Sequence, residues 1–431
     1  MSSKLFNIIF SLLFITFVGG LQGNVFFIFW SIFIIFLIFK FLKKIDIFLF
    51  TKIFIFIYWL LVIIFYQLSD YNWNVQDVDS DGHMNYIVNF DFAFIREALL
   101  RNIKTFRFWD VRMIVAVIWY LVSKVISFVS FESLIDQESQ RFLIFQINIL
   151  FQILSGFVFT DILKFFKIFI EKTTFYFFAV FVSFCNPGFL YYQGYVGKES
   201  LLSFLLLLSL YLLIKVYSRL KTTYFKSFLK FISRNFFIII TTILCILIGT
   251  LARPYFPLLV LSSLVSSLYF LNIKIDKFLN FIIIFSILLL SFVGFNIASF
   301  NFIYFWFGNS AGILLTPNVF KITNYFDFPF QTITALFTSL SLFIFAFKKT
   351  LRLEFFQLYY LISPLLIAGG AFALVPALEN AILGEEITDL AFFLTRTRLC
   401  IYQLLIFLII FKTMRIGFIA NKQLFSISNE K

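Results

Sequence analysis

The stretch from Asn235 to Leu251 reads NFFIIITTILCILIGTL and carries no charge. Wound as an α-helix it rises about 26 Å, close to the roughly 30 Å of hydrocarbon in a bilayer. Immediately before it lie Lys215, Arg219, Lys221, Lys226, Lys230 and Arg234, with no acidic residue among them. Such a block stays on the cytoplasmic side of a membrane. The stretch therefore predicts a transmembrane helix whose basic end faces the cytoplasm.

Apolar runs of this kind recur along all 431 residues, of which 61% are hydrophobic and only 13% charged. A water-soluble domain carries about twice that charged fraction. In hydrocarbon the backbone must satisfy its own hydrogen bonds, which helices do. The fold class is accordingly all-α and polytopic, a single transmembrane domain over 1–431. About twelve spans are predicted, near 5–21, 25–41, 47–67, 141–163, 173–193, 199–216, 235–251, 255–271, 279–299, 329–347, 354–376 and 396–413. The first is expected to be retained, since no small-residue cleavage site follows it. Cys185, Cys245 and Cys400 lie in or at the edges of apolar runs without metal-knuckle or redox spacing, so they read as packing residues.

Sidedness orders these spans. Lys40, Lys43 and Lys44, then Lys164, Lys167 and Lys172, Lys274 and Lys277, Lys348, Lys349 and Arg352, and the tail from Lys412 fall on the same side as the basic block only if the apolar stretch 111–131 does not cross. Arg112 and Lys124 punctuate that stretch, and Trp119 and Tyr120 suit the headgroup level, so it reads as an interfacial helix in the outer loop. Both termini then lie in the cytoplasm. Segments 68–140, 300–328 and 377–395 lie outside, the first carrying the interfacial helix. The compartment expected is the plasma membrane, the inner membrane of a bacterium. The net charge of +13 is scattered among loops that face membrane lipids, and no nucleic acid is needed to explain it.

Polar chemistry concentrates in one place. Asp77-Val-Asp79-Ser-Asp81-Gly-His83-Met-Asn-Tyr86 holds three aspartates and the only histidine of the chain. With Asp70 and Asp91 it gives the first outer segment a negative rim that could hold a divalent cation, Mg or Mn. Such a cation is not required where arginines do its work.

Asp79, His83 and Tyr86-Ile87 stand at the spacing of an outer-loop signature, D-E-x-x-H-x-x-Y-I, and here the chain resembles the GT-C superfamily of membrane glycosyltransferases, which use polyprenyl-phosphate-linked sugars. Ser80 stands where that family commonly has its second acid. Further stretches are similar to the family's in order. Arg141-Phe142-Leu143 opens a span, and Asn186-Pro187-Gly188-Phe189 and Gly194 precede Lys198-Glu199. Arg253-Pro254 follows a helix containing Gly249, and Arg396-Thr397-Arg398 opens the last span. The hairpin over 1–44 lies upstream of the helix the family would count as its first.

The resemblance implies a glycosyltransferase that moves a sugar from a polyprenyl-phosphate donor to a glycan, lipid or other acceptor on the extracytoplasmic face. Such a transfer needs a carboxylate to take the acceptor hydroxyl's proton and a cation to stabilise the leaving phosphate. Asp79 is the candidate base, with Asp81 and His83 placed to orient the acceptor, tune that base or help hold a metal. Arg396 and Arg398 are the favoured phosphate holders, and Arg253 and Lys198 are further candidates, because guanidinium matches phosphate in a fork. Tyr86 and Glu199 complete the substrate-binding set. Two other readings are open: a Wzy-like polymerase of lipid-linked repeats, which would rely on arginines of later outer loops, and a transporter or flippase, which would need charges deep in the membrane.

Overall fold

The computed structural model describes the helical stretches 199–221, 228–252, 255–270, 277–315 and 362–371, with Arg253 and 320–323. It also describes scattered positions in 148–162, 332–340 and 359–374. Among the described residues every regular element is an α-helix and none is a strand. The N-terminal hairpin over 1–44, the outer segment 68–140 with its interfacial helix, the segment 377–395 and the last span lie outside the described residues. The chain divides into two compact units, Met1–Thr160 with Ile170–Leu201, and Asp161–Phe169 with Leu202–Lys431. In the first unit Asn148, Ser155 and Phe159 are buried helical positions seven and four residues apart, one face of a helix.

The helices are α1 (Glu199–Lys221), α2 (Phe228–Ala252), α3 (Phe256–Phe270) and α4 (Lys277–Leu315), with α5 (Ile362–Ala371) further on. Residues Ser200–Tyr217 of α1 and Ile232–Thr250 of α2 are long and apolar enough to cross a membrane. The predicted spans 199–216 and 235–251 fall on these two helices, and 255–271 falls on α3.

The helices differ in what surrounds them. From Ser200 to Ile214, α1 has no exposed position. On α3 Phe256, Leu259, Val260 and every residue from Ser262 to Leu268 are buried. By contrast α2 exposes Phe236, Phe237, Ile240, Ile243, Leu244 and Leu247, and Phe237 is 84% exposed. The first part of α4 does the same with Phe281, Ile284, Phe285, Leu288, Leu289 and Phe292. Stripes of this size mark a face that meets lipid or another protein.

Several hydroxyls inside these helices are satisfied locally. Thr242 donates to the carbonyl of Ile238, Ser263 to Leu259, Ser267 to Ser263, Ser286 to Ile282 and Ser291 to Ile287, all at 2.6–2.8 Å. Back-bonding of this kind lets a polar side chain sit where no water competes for it. The serines of α3 also keep its surface narrow, which allows close packing on all sides.

Helix α3 packs against both α2 and α4. The first junction is short. α2 ends at Ala252, and the next residue precedes Pro254, whose ring disfavours helical backbone at Arg253. Arg253 N–H still donates to Gly249 O at 2.8 Å, and Phe256 N–H then donates to Arg253 O at 2.9 Å, closing a turn. Pro257 falls in the first turn of α3, where a missing N–H leaves no helical bond unmade. Phe256 folds back so far that its ring fills the place a β-carbon on Gly249 would take.

Helix α4 departs from the predicted boundary. The span expected over 279–299 continues as helix to Leu315, taking in the first half of the outer segment expected over 300–328. Straight, its 39 residues would measure about 58 Å, far more than a bilayer needs. It is not straight. Tyr360 O–H donates to Asn280 Oδ1 at 2.9 Å, and Trp306 Nε1–H donates to Leu366 O at 2.7 Å. Asn280 and Trp306 are 26 residues apart, about 39 Å along a straight helix, while their partners are six apart, about 9 Å of helical rise. Phe302 and Trp306 also pack with Ile287 and Leu290 of the same helix. The bend lies between Gly294 and Phe302, where the Phe302 ring occupies the space of an absent Gly294 β-carbon. Asn309 and Ser310, which as sequence suggest a loop, are buried on the inner face, and Ser310 donates to Trp306 O at 2.8 Å.

Candidate functional site

Of the residues singled out from sequence, Arg253 and Glu199 fall among those described. Asp79, Asp81, His83, Tyr86, Lys198, Arg396 and Arg398 lie outside the described residues. Glu199 is the first residue of α1 and belongs to the first unit. Arg253 belongs to the second.

Arg253 is part-buried, and the turn it occupies fixes its backbone at both ends through Gly249 and Phe256. Fixing the backbone reduces the freedom a long side chain must lose when it grips a ligand. At the opposite end of α2 the Arg219 guanidinium, near the close of α1, donates to Asn235 Oδ1. Asn235 and Arg253 are 18 residues apart, about 27 Å of helical rise. Arg253 thus sits at the end of α2 remote from the basic block, on a helix that exposes Phe236, Phe237, Ile240, Ile243, Leu244 and Leu247. Along α1, Glu199 is 20 residues and about 30 Å from Arg219. Each helix separately has its basic residues at one end and the candidate residue at the other.

A second polar group was not singled out from sequence. The Tyr360 ring stacks on Tyr269 at 4.1 Å between centroids, Tyr359 meets Tyr360 edge-on at 5.2 Å, and Tyr360 bonds Asn280. These residues join the end of α3 and the start of α4 to the stretch before α5. The available signal was Asn280, a polar residue inside an apolar run, which needs a partner when buried. The arrangement ties three elements together at the end of α4 that carries Lys277.

Among the described residues no group of three or more histidine, cysteine, aspartate or glutamate side chains is placed to hold a metal ion. The acidic rim around Asp79 is outside that set. No protein-family model, curated protein or solved structure matches the chain.

Proposed function

We propose that this chain is a polytopic membrane glycosyltransferase of GT-C type with about twelve spans, taking a sugar from a polyprenyl-phosphate donor on the outer face of the plasma membrane. The observation that carries the membrane part is the apolar, outward-facing surface of α2 and α4, with α1 and α3 enclosed. The observation that bears on chemistry is Arg253, an arginine with a fixed backbone about 27 Å along α2 from Asn235 at the basic end. With the basic block in the cytoplasm, Arg253 meets the outer leaflet, where the sequence puts Asp79, Asp81 and His83.

In this mechanism Asp79 removes the proton from the acceptor hydroxyl as its oxygen attacks the anomeric carbon. The bond from that carbon to the phosphate oxygen breaks, and the phosphate leaves with the bonding pair. Arginine stabilises the departing charge, with Arg396, Arg398 and Arg253 as the candidates. The fatty tail of the donor lies among the apolar helices.

The test is Asp79→Asn in the full-length protein, with lipid-linked sugar binding and glycan assembly both measured. Binding should persist while transfer stops. Normal glycan assembly by this variant would remove Asp79 from the mechanism. Loss of function on substituting the later outer arginines, with Asp79→Asn still active, would favour the polymerase reading.

A further inference from the structure

We infer that α4 enters the membrane and returns by the same face, so that its Leu315 end, with Lys321 beyond it, lies with Lys277 on the side of the basic block rather than on the outer side. The inference rests on the membrane reading above and on no step of glycosyl transfer.

One level can be drawn through the start of α4. Tyr360 donates to Asn280 Oδ1 and its ring stacks on Tyr269, so these three residues stand at one height. From there α4 climbs. Gly294 is 14 residues beyond Asn280, and the helical position Leu374 is 14 beyond Tyr360, about 21 Å of rise in each case. Phe302 meets both of these heights: its ring fills the space of a Gly294 β-carbon, and with Trp306 it packs against Leu374. Eight residues of straight helix would have carried it about 12 Å past Gly294. The climb therefore ends between Gly294 and Phe302.

Beyond that point the contacts descend. Trp306 donates to Leu366 O and lies against Gly370, residues about 9 and 15 Å above Tyr360. The Phe302–Trp306 pair also packs with Ile287 and Leu290, about 10 and 15 Å above Asn280. Two partners, one on the rising limb and one on the neighbouring helix, thus give the same height. Ser310 stands against Gly369, about 14 Å above Tyr360, and five more helical residues bring Leu315 about 8 Å lower. A straight helix would instead put Ser310 about 45 Å above Asn280, beyond the far face of a layer about 30 Å thick. Helical backbone on both limbs keeps its own hydrogen bonds in hydrocarbon, and near the turn Asn296 donates to Phe292 O.

Charge agrees with this path. Between Lys277 and Lys348 the chain has one basic residue, Lys321, and one acidic residue, Asp327. Lysine favours the cytoplasmic side, whereas acids carry little weight in orientation. Only the alternation of predicted spans put 300–328 outside. Tyr360 is back at the starting level, so the apolar run 329–347 completes no crossing either, and Lys348, Lys349 and Arg352 keep the basic side.

The experiment labels single cysteines in the full-length protein, in a parent with Cys185, Cys245 and Cys400 changed to alanine, using a membrane-impermeant maleimide on intact and then on permeabilised cells. Lys274→Cys marks the start of α4, and Lys321→Cys marks the segment beyond its end, where Phe320, Lys321 and Ile322 are exposed. Both should react only after permeabilisation. Reaction of Lys321→Cys alone in intact cells would overturn the inference, because α4 would then cross. So would a Lys321→Cys that never reacts, since the position would not be exposed. Should the parent fail to accumulate, an epitope inserted after Ile322 of the wild type, read by antibody before and after permeabilisation, decides the same question. Reaction of both cysteines in intact cells would uphold the shared face but put the basic block outside, which would sink the proposed placing of Arg253 at the outer leaflet. Release of the protein from membranes by alkali would overturn the inference and the membrane reading together.

Discussion

The indole N–H of Trp306 donates to the backbone carbonyl of Leu366 at 2.7 Å, and the ring lies against Gly370 of the same helix. Where α4 returns toward α5, the contact is thus between a large aromatic side chain and a bare strip of backbone. A β-carbon on Gly370 would meet Trp306 Nε1 at 2.8 Å, and one on Gly369 would meet Ser310 N at 2.7 Å and its Cα at 2.8 Å. Gly308 has nothing within 4 Å of the equivalent point.

These differences rank three alanine substitutions. Gly369→Ala should be the most harmful, costing about 2 kcal/mol, because the obstacle is backbone. Gly370→Ala should cost less, since an indole can tilt, although tilting weakens its hydrogen bond. Gly308→Ala should be neutral or gain up to about 1 kcal/mol from helix propensity. Trp306→Phe keeps an aromatic ring but loses the donor and should cost about 1 kcal/mol. Thermal unfolding in detergent gives the order, and equal effects at positions 308 and 369 would refute the packing described.

The α2–α3 turn depends on the Phe256 ring filling the space beside Gly249. Gly249→Ala should destabilise by about 1–3 kcal/mol through overpacking. Adding Phe256→Leu should return part of that loss, because the smaller side chain makes room. A double-mutant cycle measures the coupling, and simple additivity would show that the two residues do not compete for space.

Buried hydroxyls on α3 are not equivalent. Ser263 and Ser267 donate to carbonyls one turn back, whereas the Ser266 hydroxyl is buried without a hydrogen-bond partner. Ser266→Ala should therefore be neutral or stabilising, and more favourable than Ser263→Ala by about 1 kcal/mol. The reverse order in thermal unfolding would indicate that Ser266 has a polar partner in the working protein.

Among the described residues the helices α1, α2 and α3 were legible because apolar length is a strong signal. The run 235–251 falls within α2, and Arg253-Pro254 marks the end of that helix as the proline predicts. The end of the span predicted over 279–299 was not legible. Asn296, Asn301, Asn309 and Ser310 read as the polar beginning of a loop, but a helix that folds back can bury such residues or bond them to itself. Asn296 Nδ2–H donates to the carbonyl of Phe292 at 2.8 Å, Ser310 bonds Trp306, and Asn309 is buried. Contact between Trp306 and Leu366, sixty residues apart, has no sequence period to reveal it. For the site, the turn holding Arg253 could be anticipated from proline, whereas the Phe256 ring folding back on Gly249 could not.

Leu244 lies near the middle of the span Ile232–Thr250 and is about half exposed. If that face meets lipid, Leu244→Lys should impair membrane insertion by about 2.5–3.5 kcal/mol, read from the inserted fraction in a translocation assay. Leu244→Ala should change stability little, since no packed cavity opens. A lysine tolerated at 244 would mean that water, not hydrocarbon, borders α2.

Arg253 links the fold to the proposed chemistry and requires two substitutions to separate its roles. Arg253→Lys keeps a positive charge but loses the planar fork, so transfer should fall while the fold survives. Arg253→Gln removes the charge and should lower transfer further, by about one to three orders of magnitude if the guanidinium stabilises the leaving phosphate. Unfolding temperature must be measured alongside, because a part-buried arginine also covers apolar surface with its stem. A graded loss of transfer from arginine to lysine to glutamine, at constant unfolding temperature, is expected of a phosphate holder. If transfer and unfolding temperature fall together, Arg253 serves the α2–α3 turn, and the leaving phosphate must be held elsewhere, with Arg396 and Arg398 next to be substituted.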